Sequence, residues 1–230
     1  MGRRTTQAPE EENLENVGQT AEATGGENIG QETEQTTGDT ADETTGEAVD
    51  DGAQDNGIRC MVSQVKDGET KVSETLDEGW NADGVALVDG NCETMLVVAL
   101  NESQQAFGGD ESQDLEEDVA SPSMSSMDGK QRSAFLIDFY QREEKAVPAL
   151  DACTAFGWLP SGGEMALIYA NKDSINEKME ALGGTVLGDG RYWTSQRFSN
   201  DRMWSCGMSD GTFGIALGTA SVAGVRAVKK

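Results

Sequence analysis

Histidine is absent from all 230 residues. That excludes Ser-His-Asp and Cys-His nucleophilic catalysis, histidine-ligated zinc and a switch titrating near neutral pH. Cysteine is scarce: Cys60, Cys92, Cys153 and Cys206 are widely spaced and form no Cys-x-x-Cys pair, so neither a zinc nor a redox motif is present. Four cysteines allow three disulfide pairings and the spacing selects none of them; four free, mostly buried thiols are expected. No apolar run is long enough to span a membrane, and the N-terminus lacks the apolar core of a signal peptide. Basic residues are also few, 17 against 42 acids, for a formal charge of −25. A phosphate backbone needs a basic stripe, so nucleic acid is excluded as a partner and membrane insertion is not expected.

The acids are not evenly spread. Residues 1–57 hold fifteen of them against Arg3 and Arg4, contain no aromatic residue, and are dominated by Gly, Thr, Glu and Gln. Such a segment cannot bury enough apolar surface to offset the entropy of ordering. It is expected to be a disordered acidic low-complexity tail, a tether or spacer. Residues 58–230 keep 27 acids and 15 bases and are long enough for one domain with a real core. Within them, 108–129 is rich in Gly, Asp, Glu and Ser and reads as an exposed acidic loop. Its carboxylates have no EF-hand spacing, so no metal and no cofactor is expected.

Elements follow from periodicity and turn chemistry. Val62–Val65, the Lys66-Asp67-Gly68 turn and Lys71–Glu74 read as a hairpin. Gly84–Val88 and Thr94–Leu100, joined through Asp89-Gly90-Asn91, read as a second. The Asp-Gly pair there should take positive φ, and the continuous apolar run of the returning strand should be buried on both sides. Helices are expected over Gln131–Arg142, with Phe135, Phe139 and Arg142 on the core-facing stripe and Leu136 and Tyr140 beside it, and over Pro148–Ala155. A third helix opens on a Ser161/Glu164 capping box and buries Met165, Ile168 and Tyr169. A fourth is capped by Asp173, repeats Ile175, Met179 and Leu182, and ends at Gly183-Gly184. Strands close the chain at about Tyr192–Thr194, Met203–Met208, Thr212–Leu217 and Gly224–Val228. Strands, then helices, then strands make an α+β domain.

Between Trp193 and Trp204 lies a run of polar, flexible side chains. Two large low-entropy anchors framing such a run read as a display loop on a rigid scaffold.

Several short motifs recur here in a characteristic order: Gly157-Trp158-Leu159-Pro160-Ser161, Gly163-Glu164-Met165, Tyr192-Trp193-Thr194-Ser195-Gln196, Met203-Trp204, Ser209-Asp210-Gly211 and Val225-Arg226-Ala227-Val228. In this the chain resembles the C-type-lectin-like domains of bacterial surface proteins and phage receptor-binding proteins, among them the variable proteins of diversity-generating retroelements. The resemblance implies a C-type-lectin-like fold and a ligand- or receptor-binding function without catalysis. It implies a protein or glycan receptor on a cell surface as partner, and a virion or cell-surface location. It also implies a ligand-facing surface made of Thr194, Gln196, Arg197, Asn200, Asp201, Arg202, Met203, Ser205 and Gly207, carried by the scaffold residues Trp158, Trp193 and Trp204. The Glu-Pro-Asn, Gln-Pro-Asp and Trp-Asn-Asp motifs of calcium-dependent sugar binding are missing. Two alternatives are a structural virion or pilus component, and an enzyme of the formylglycine-generating type, which would use cysteines such as Cys153 and Cys206.

Overall fold

The computed structural model describes residues 57–108, 125–199, 202–213 and 217–230. The expected acidic tail, apart from Gly57, and most of the expected acidic loop lie outside the described residues.

The described chain is α+β, with two five-stranded, mainly antiparallel sheets and four helices. The first sheet has the order β10-β4-β3-β1-β2, built from β1 (Arg59–Lys66), β2 (Glu69–Ser73), β3 (Asn81–Val88), β4 (Thr94–Ala99) and β10 (Val228–Lys229). The second has the order β5-β9-β6-β7-β8, from β5 (Ser103–Ala106), β6 (Arg191–Ser199), β7 (Arg202–Gly207), β8 (Leu217–Gly218) and β9 (Val222–Val225). Between β5 and β6 in the chain come α1 (Gly129–Arg142), α2 (Pro148–Asp151), α3 (Gly162–Ala170) and α4 (Lys172–Ala181).

The first hairpin forms as its turn chemistry demands. Lys66 pairs with Glu69, and both residues between them have positive φ, 51° at Asp67 and 86° at Gly68. That is the primed turn whose twist matches the flanking strands. The β3–β4 connection departs from expectation: the positive φ falls on Cys92, not on Asp89-Gly90. The reason is local. Asp89 Oδ1 accepts from both Asn91 N and Glu93 N at 2.9 Å, so the aspartate closes a longer loop through its own side chain. β4 is buried on both faces as its sequence requires. Leu96 and Val98 pack with Met165, Ile168 and Ile175, while Val97 packs with Ala86 and Val88 on the other side.

The α1 stripe is rotated from the expected one. Gly129, Ser133, Leu136 and Tyr140 are buried, whereas Phe135 and Arg142 are exposed. Ser133 sets the rotation. Its hydroxyl donates to Leu159 O and accepts from Leu159 N, each at 3.1 Å, a bond pair that docks this face of the helix. Phe135 and Phe139 instead stack on one another, 6.3 Å between centroids. α2 stops after one turn, shorter than expected.

α3 carries the expected capping box, with Ser161 N donating to Glu164 Oε2 at 2.8 Å. α4 begins two residues earlier than expected, with Asn171 rather than Asp173 at the cap position. It ends in a Schellman arrangement: Gly184 N donates to Met179 O, Gly183 N donates to Glu180 O, and Gly183 has φ 70°.

The last expected strand is two strands. β9 belongs to the second sheet and β10 to the first, and Arg226-Ala227 is the step between them. Thr212 and Phe213 are not in a strand, Phe213 making only an isolated bridge to Cys206. All four cysteines are free; Cys153 and Cys206 are buried, Cys60 is half-buried and Cys92 exposed.

Glu164 supplies a pH test of the capping box. Burial raises its pKa above the ordinary 4.5, outweighing the bonds from Ser161 and Trp158 that lower it. A carboxyl with a raised folded pKa contributes stability that is complete below its unfolded pKa and is lost as pH rises through the folded value. Urea midpoints should therefore fall on raising the pH above about 4.5. Glu164→Gln, which keeps an acceptor for Ser161 N, should flatten that part of the profile.

Candidate functional site

The described residues between the two tryptophans lie in two paired strands, not in a loop. β6 and β7 run antiparallel, with Trp193 opposite Ser205 and Arg197 opposite Met203. Three residues, Thr194 to Gln196, therefore face the single Trp204. This is a large bulge, and bulges re-aim side chains.

Here the bulge is aimed inward. Thr194 Oγ1 donates to Trp204 O at 2.9 Å, closing it from within. Ser195 N donates to Pro160 O at 2.8 Å, and Gln196 Oε1 accepts from Gly162 N at 2.9 Å. Gln196 thus serves one of the orphan amides at the start of α3 from a distant strand.

Most of the expected binding face lies inward. Thr194, Gln196, Arg197, Met203, Ser205 and Gly207 are all buried. Met203 lies in the core cluster that holds Trp193. Ser205 Oγ accepts from Arg191 Nη1 at 3.1 Å. Arg197 Nε donates to Ser199 O at 2.6 Å. Of the expected set, Arg202 is exposed, and Asn200 and Asp201 lie outside the described residues.

The three scaffold tryptophans differ in kind. Trp193 is fully buried, while Trp158 and Trp204 are half-buried. Trp158 Nε1 donates to the Glu164 carboxylate at 3.2 Å, and Lys130 stands 5.7 Å above its ring.

What β6 and β7 do present outward is an aromatic pair near their joined ends. Phe198 is 53% exposed and meets Trp204 edge-to-face, 4.9 Å between centroids and 90° between planes. The exposed Arg202 opens β7 beside them. Sequence reasoning missed Phe198 because it assigned the whole run to a loop. The signal was present: Phe198 is the one large apolar residue between the two tryptophans other than Met203.

On the same strand, Ser195 and Arg197 line a cleft of ≈ 170 Å³ against Asp128, Gln131, Arg132 and Phe135 of the α1 start. Arg132 Nε donates to Asp128 Oδ1 at 2.8 Å. Burial acts to raise the Asp128 pKa, but bonds from Ser126 and Arg132 outweigh it and hold the carboxyl below its ordinary value. No group of three or more metal-ligating acids or cysteines occurs among the described residues. No helix among them is long and apolar enough to cross a membrane. Burial pushes the Cys153 thiol up to about 12 and the Cys206 thiol up to about 11, so both are protonated at neutral pH, the reverse of an activated nucleophile.

No family model matches the chain, and no curated protein matches it. Among solved structures it is similar to a fimbrial protein from Bacteroides ovatus ATCC 8483, with a TM-score of 0.51 and 17% sequence identity. The likeness covers 60% of this chain and 36% of that one. At that identity it is a likeness of fold.

Proposed function

We propose that this chain is a non-catalytic recognition module on a C-type-lectin-like scaffold, carried by a cell-surface appendage, that binds a protein or glycan receptor through the joined ends of β6 and β7. The observation that carries the reading is the exposed Phe198 packed on the half-buried Trp204 beside Arg202. Aromatic and arginine side chains dominate binding hot spots, because they bring large contact area and directed donors at low entropic cost. The name of the fimbrial neighbour supports the surface setting. The motif order from Trp158 to Val228 supports the lectin-like scaffold.

The finer reading, a variable protein of a diversity-generating retroelement, is compatible only with substitution at outward positions such as Phe198 and Arg202. Changes at Thr194, Gln196 or Met203 would break the bulge or the core instead.

The test is alanine substitution of Phe198, Arg202 and Trp204, read as binding to a glycan array and to a panel of displayed surface proteins. Each hot-spot substitution should weaken a ligand found with the wild-type chain by about 30-fold or more, corresponding to at least about 2 kcal/mol. Unchanged binding by all three variants would remove the hairpin end from the recognition surface.

A further inference from the structure

We propose that the outer edge of β2 is a strand-addition site, one that takes an extended segment of a partner protein in which cationic and apolar side chains alternate. It lies on the first sheet, so it stands or falls separately from the reading of the β6 and β7 ends, which belong to the second.

The first observation is the ladder. β2 stands at the end of its sheet, with β1 as its strand neighbour. Lys66 and Glu69 close the two-residue turn as a hydrogen-bonded pair, and antiparallel ladders alternate. Gln64–Lys71 and Val62–Ser73 are then the next bonded pairs, which leaves Thr70 and Val72 with N–H and C=O turned away from β1. Neither residue makes a backbone bond outside the strand pair among the described residues. At the opposite edge of this sheet β10 is bonded on its outer side: Val228 N donates to Trp158 O at 2.9 Å and Trp158 N to Val228 O at 2.8 Å. The usual guards of an open edge are missing from β2. It has no proline, and its register on β1 is unbroken. Its lysine, Lys71, is held by Asp77, with the ammonium 4.1 Å from the centre of the Trp80 ring.

The second observation is what flanks that edge. Successive side chains of a strand point to opposite faces. Thr70 and Val72 share one face, where half-buried Val72 and Met61 pack against the cluster of Ala86, Val88 and Val97. Glu69 lies on the other face and is exposed. Near it, Lys71 is paired with Asp77, and Glu74 with Arg59. Asp67, Glu69 and Glu78 are exposed acids without an ion pair among the described residues, set against Lys66. The edge is therefore acidic, in a chain whose formal charge is −25. A strand laid along β2 gains from lysine or arginine on the Glu69 face and from an apolar side chain beside Val72. In strand addition the main-chain bonds give affinity and the alternate side chains give specificity. A second copy of the chain is disfavoured as the occupant, because two acidic edges repel.

The experiment is amide exchange on the full chain, read at Thr70 and Val72. The probe is the peptide acetyl-Lys-Val-Lys-Val-Lys-Val-amide, and the control is the same peptide with glutamate in place of lysine. In the free chain both amides should exchange faster than those of Lys71 and Ser73, which the ladder holds. Near saturation with the lysine peptide they should slow by about 10-fold, while the glutamate peptide leaves them unchanged. Equal slowing by both peptides overturns the charge chemistry, and no slowing by either at millimolar peptide overturns the site. Slow exchange in the chain alone, growing with its concentration, overturns the partner assignment in favour of a second copy.

Two variants locate the binding. Thr70→Pro removes an outward N–H and no bond to β1, so peptide affinity should fall by at least about 10-fold while the thermal midpoint changes little. Unchanged affinity overturns the proposal, since proline cannot join the added ladder. Glu69→Lys alters an exposed side chain and should weaken the lysine peptide by about 3- to 10-fold, a loss that shrinks with added salt. That variant decides the matter even where the proline variant fails to fold: unchanged affinity overturns the cationic partner.

Discussion

Replacing Arg226 by alanine is expected to destabilise the domain by about 3–5 kcal/mol, the cost of removing one partner from a buried ion pair. Arg226 is 0% exposed. Its Nη1 donates to Ala99 O at 3.1 Å and Leu100 O at 3.0 Å. Its Nη2 donates to Glu102 Oε2 at 2.9 Å, Thr185 O at 2.8 Å and Val186 O at 3.3 Å. One guanidinium therefore gathers the end of β4, the start of β5 and the segment after α4, at the step where the chain leaves one sheet for the other. Glu102 also accepts from Tyr192 Oη at 2.5 Å, which extends the cluster into β6. Burial, and then this bond to Glu102, push the Tyr192 phenol up to about 12, so it stays a donor across the physiological range. Lysine would keep the charge but present it as a single point, so Arg226→Lys should recover only part of the loss. Urea denaturation of the three proteins measures this. A cost below about 1 kcal/mol for Arg226→Ala would mean that the cluster is dispensable, as exposed ion pairs are.

Much of the fold was legible because local chemistry and tertiary need agree. Lys66-Asp67-Gly68 called for a hairpin turn, the run Thr94–Leu100 for burial on both faces, and Ser161 with Glu164 for a helix start; the turn and the cap form, and Leu96 to Ala99 of the run are buried. What was illegible depended on partners distant in sequence. The rotation of α1 is set by Ser133 against Leu159, and the break of the last strand by Arg226 reaching Leu100 and Thr185. The burial of most of the expected binding face was illegible for the same reason. Thr194, Gln196, Arg197 and Ser205 are polar, and polarity in a single sequence reads as exposure. Here their hydrogen-bonding groups face Trp204 O, Gly162 N, Ser199 O and Arg191, so these polar residues are buried and bonded. The one outward aromatic, Phe198, was hidden by its polar neighbours. The cleft pairs residues some sixty positions apart, Arg132 with Arg197, and no spacing rule joins them.

Trp193 and Trp204 were read as equivalent scaffold residues, and the structure separates their expected effects. Trp193→Ala should cost about 3–5 kcal/mol, the range for deleting a fully buried large aromatic. Its ring meets Phe107 edge-to-face at 5.6 Å, inside the cluster that holds Leu136, Tyr140, Leu159 and Met203. Its Nε1 donates to Gln105 O at 2.9 Å, which ties β6 to β5 across the intervening β9. Removing the indole leaves a cavity and strands that carbonyl, two separate penalties. Trp193→Phe fills part of the space without the donor and should fall between the wild type and Trp193→Ala. The position is also the last regular pair before the bulge, so Trp193→Ala should speed amide exchange at Ser195 and Gly162, whose bonds hold the bulge to the start of α3. Trp204→Ala removes a half-buried ring whose T-shaped partner is itself exposed, and should cost far less stability while costing receptor binding. Denaturation and exchange on the same variants decide it: equal costs for the two tryptophans would mean that the hairpin end is core, and would leave the recognition surface without its aromatic anchor.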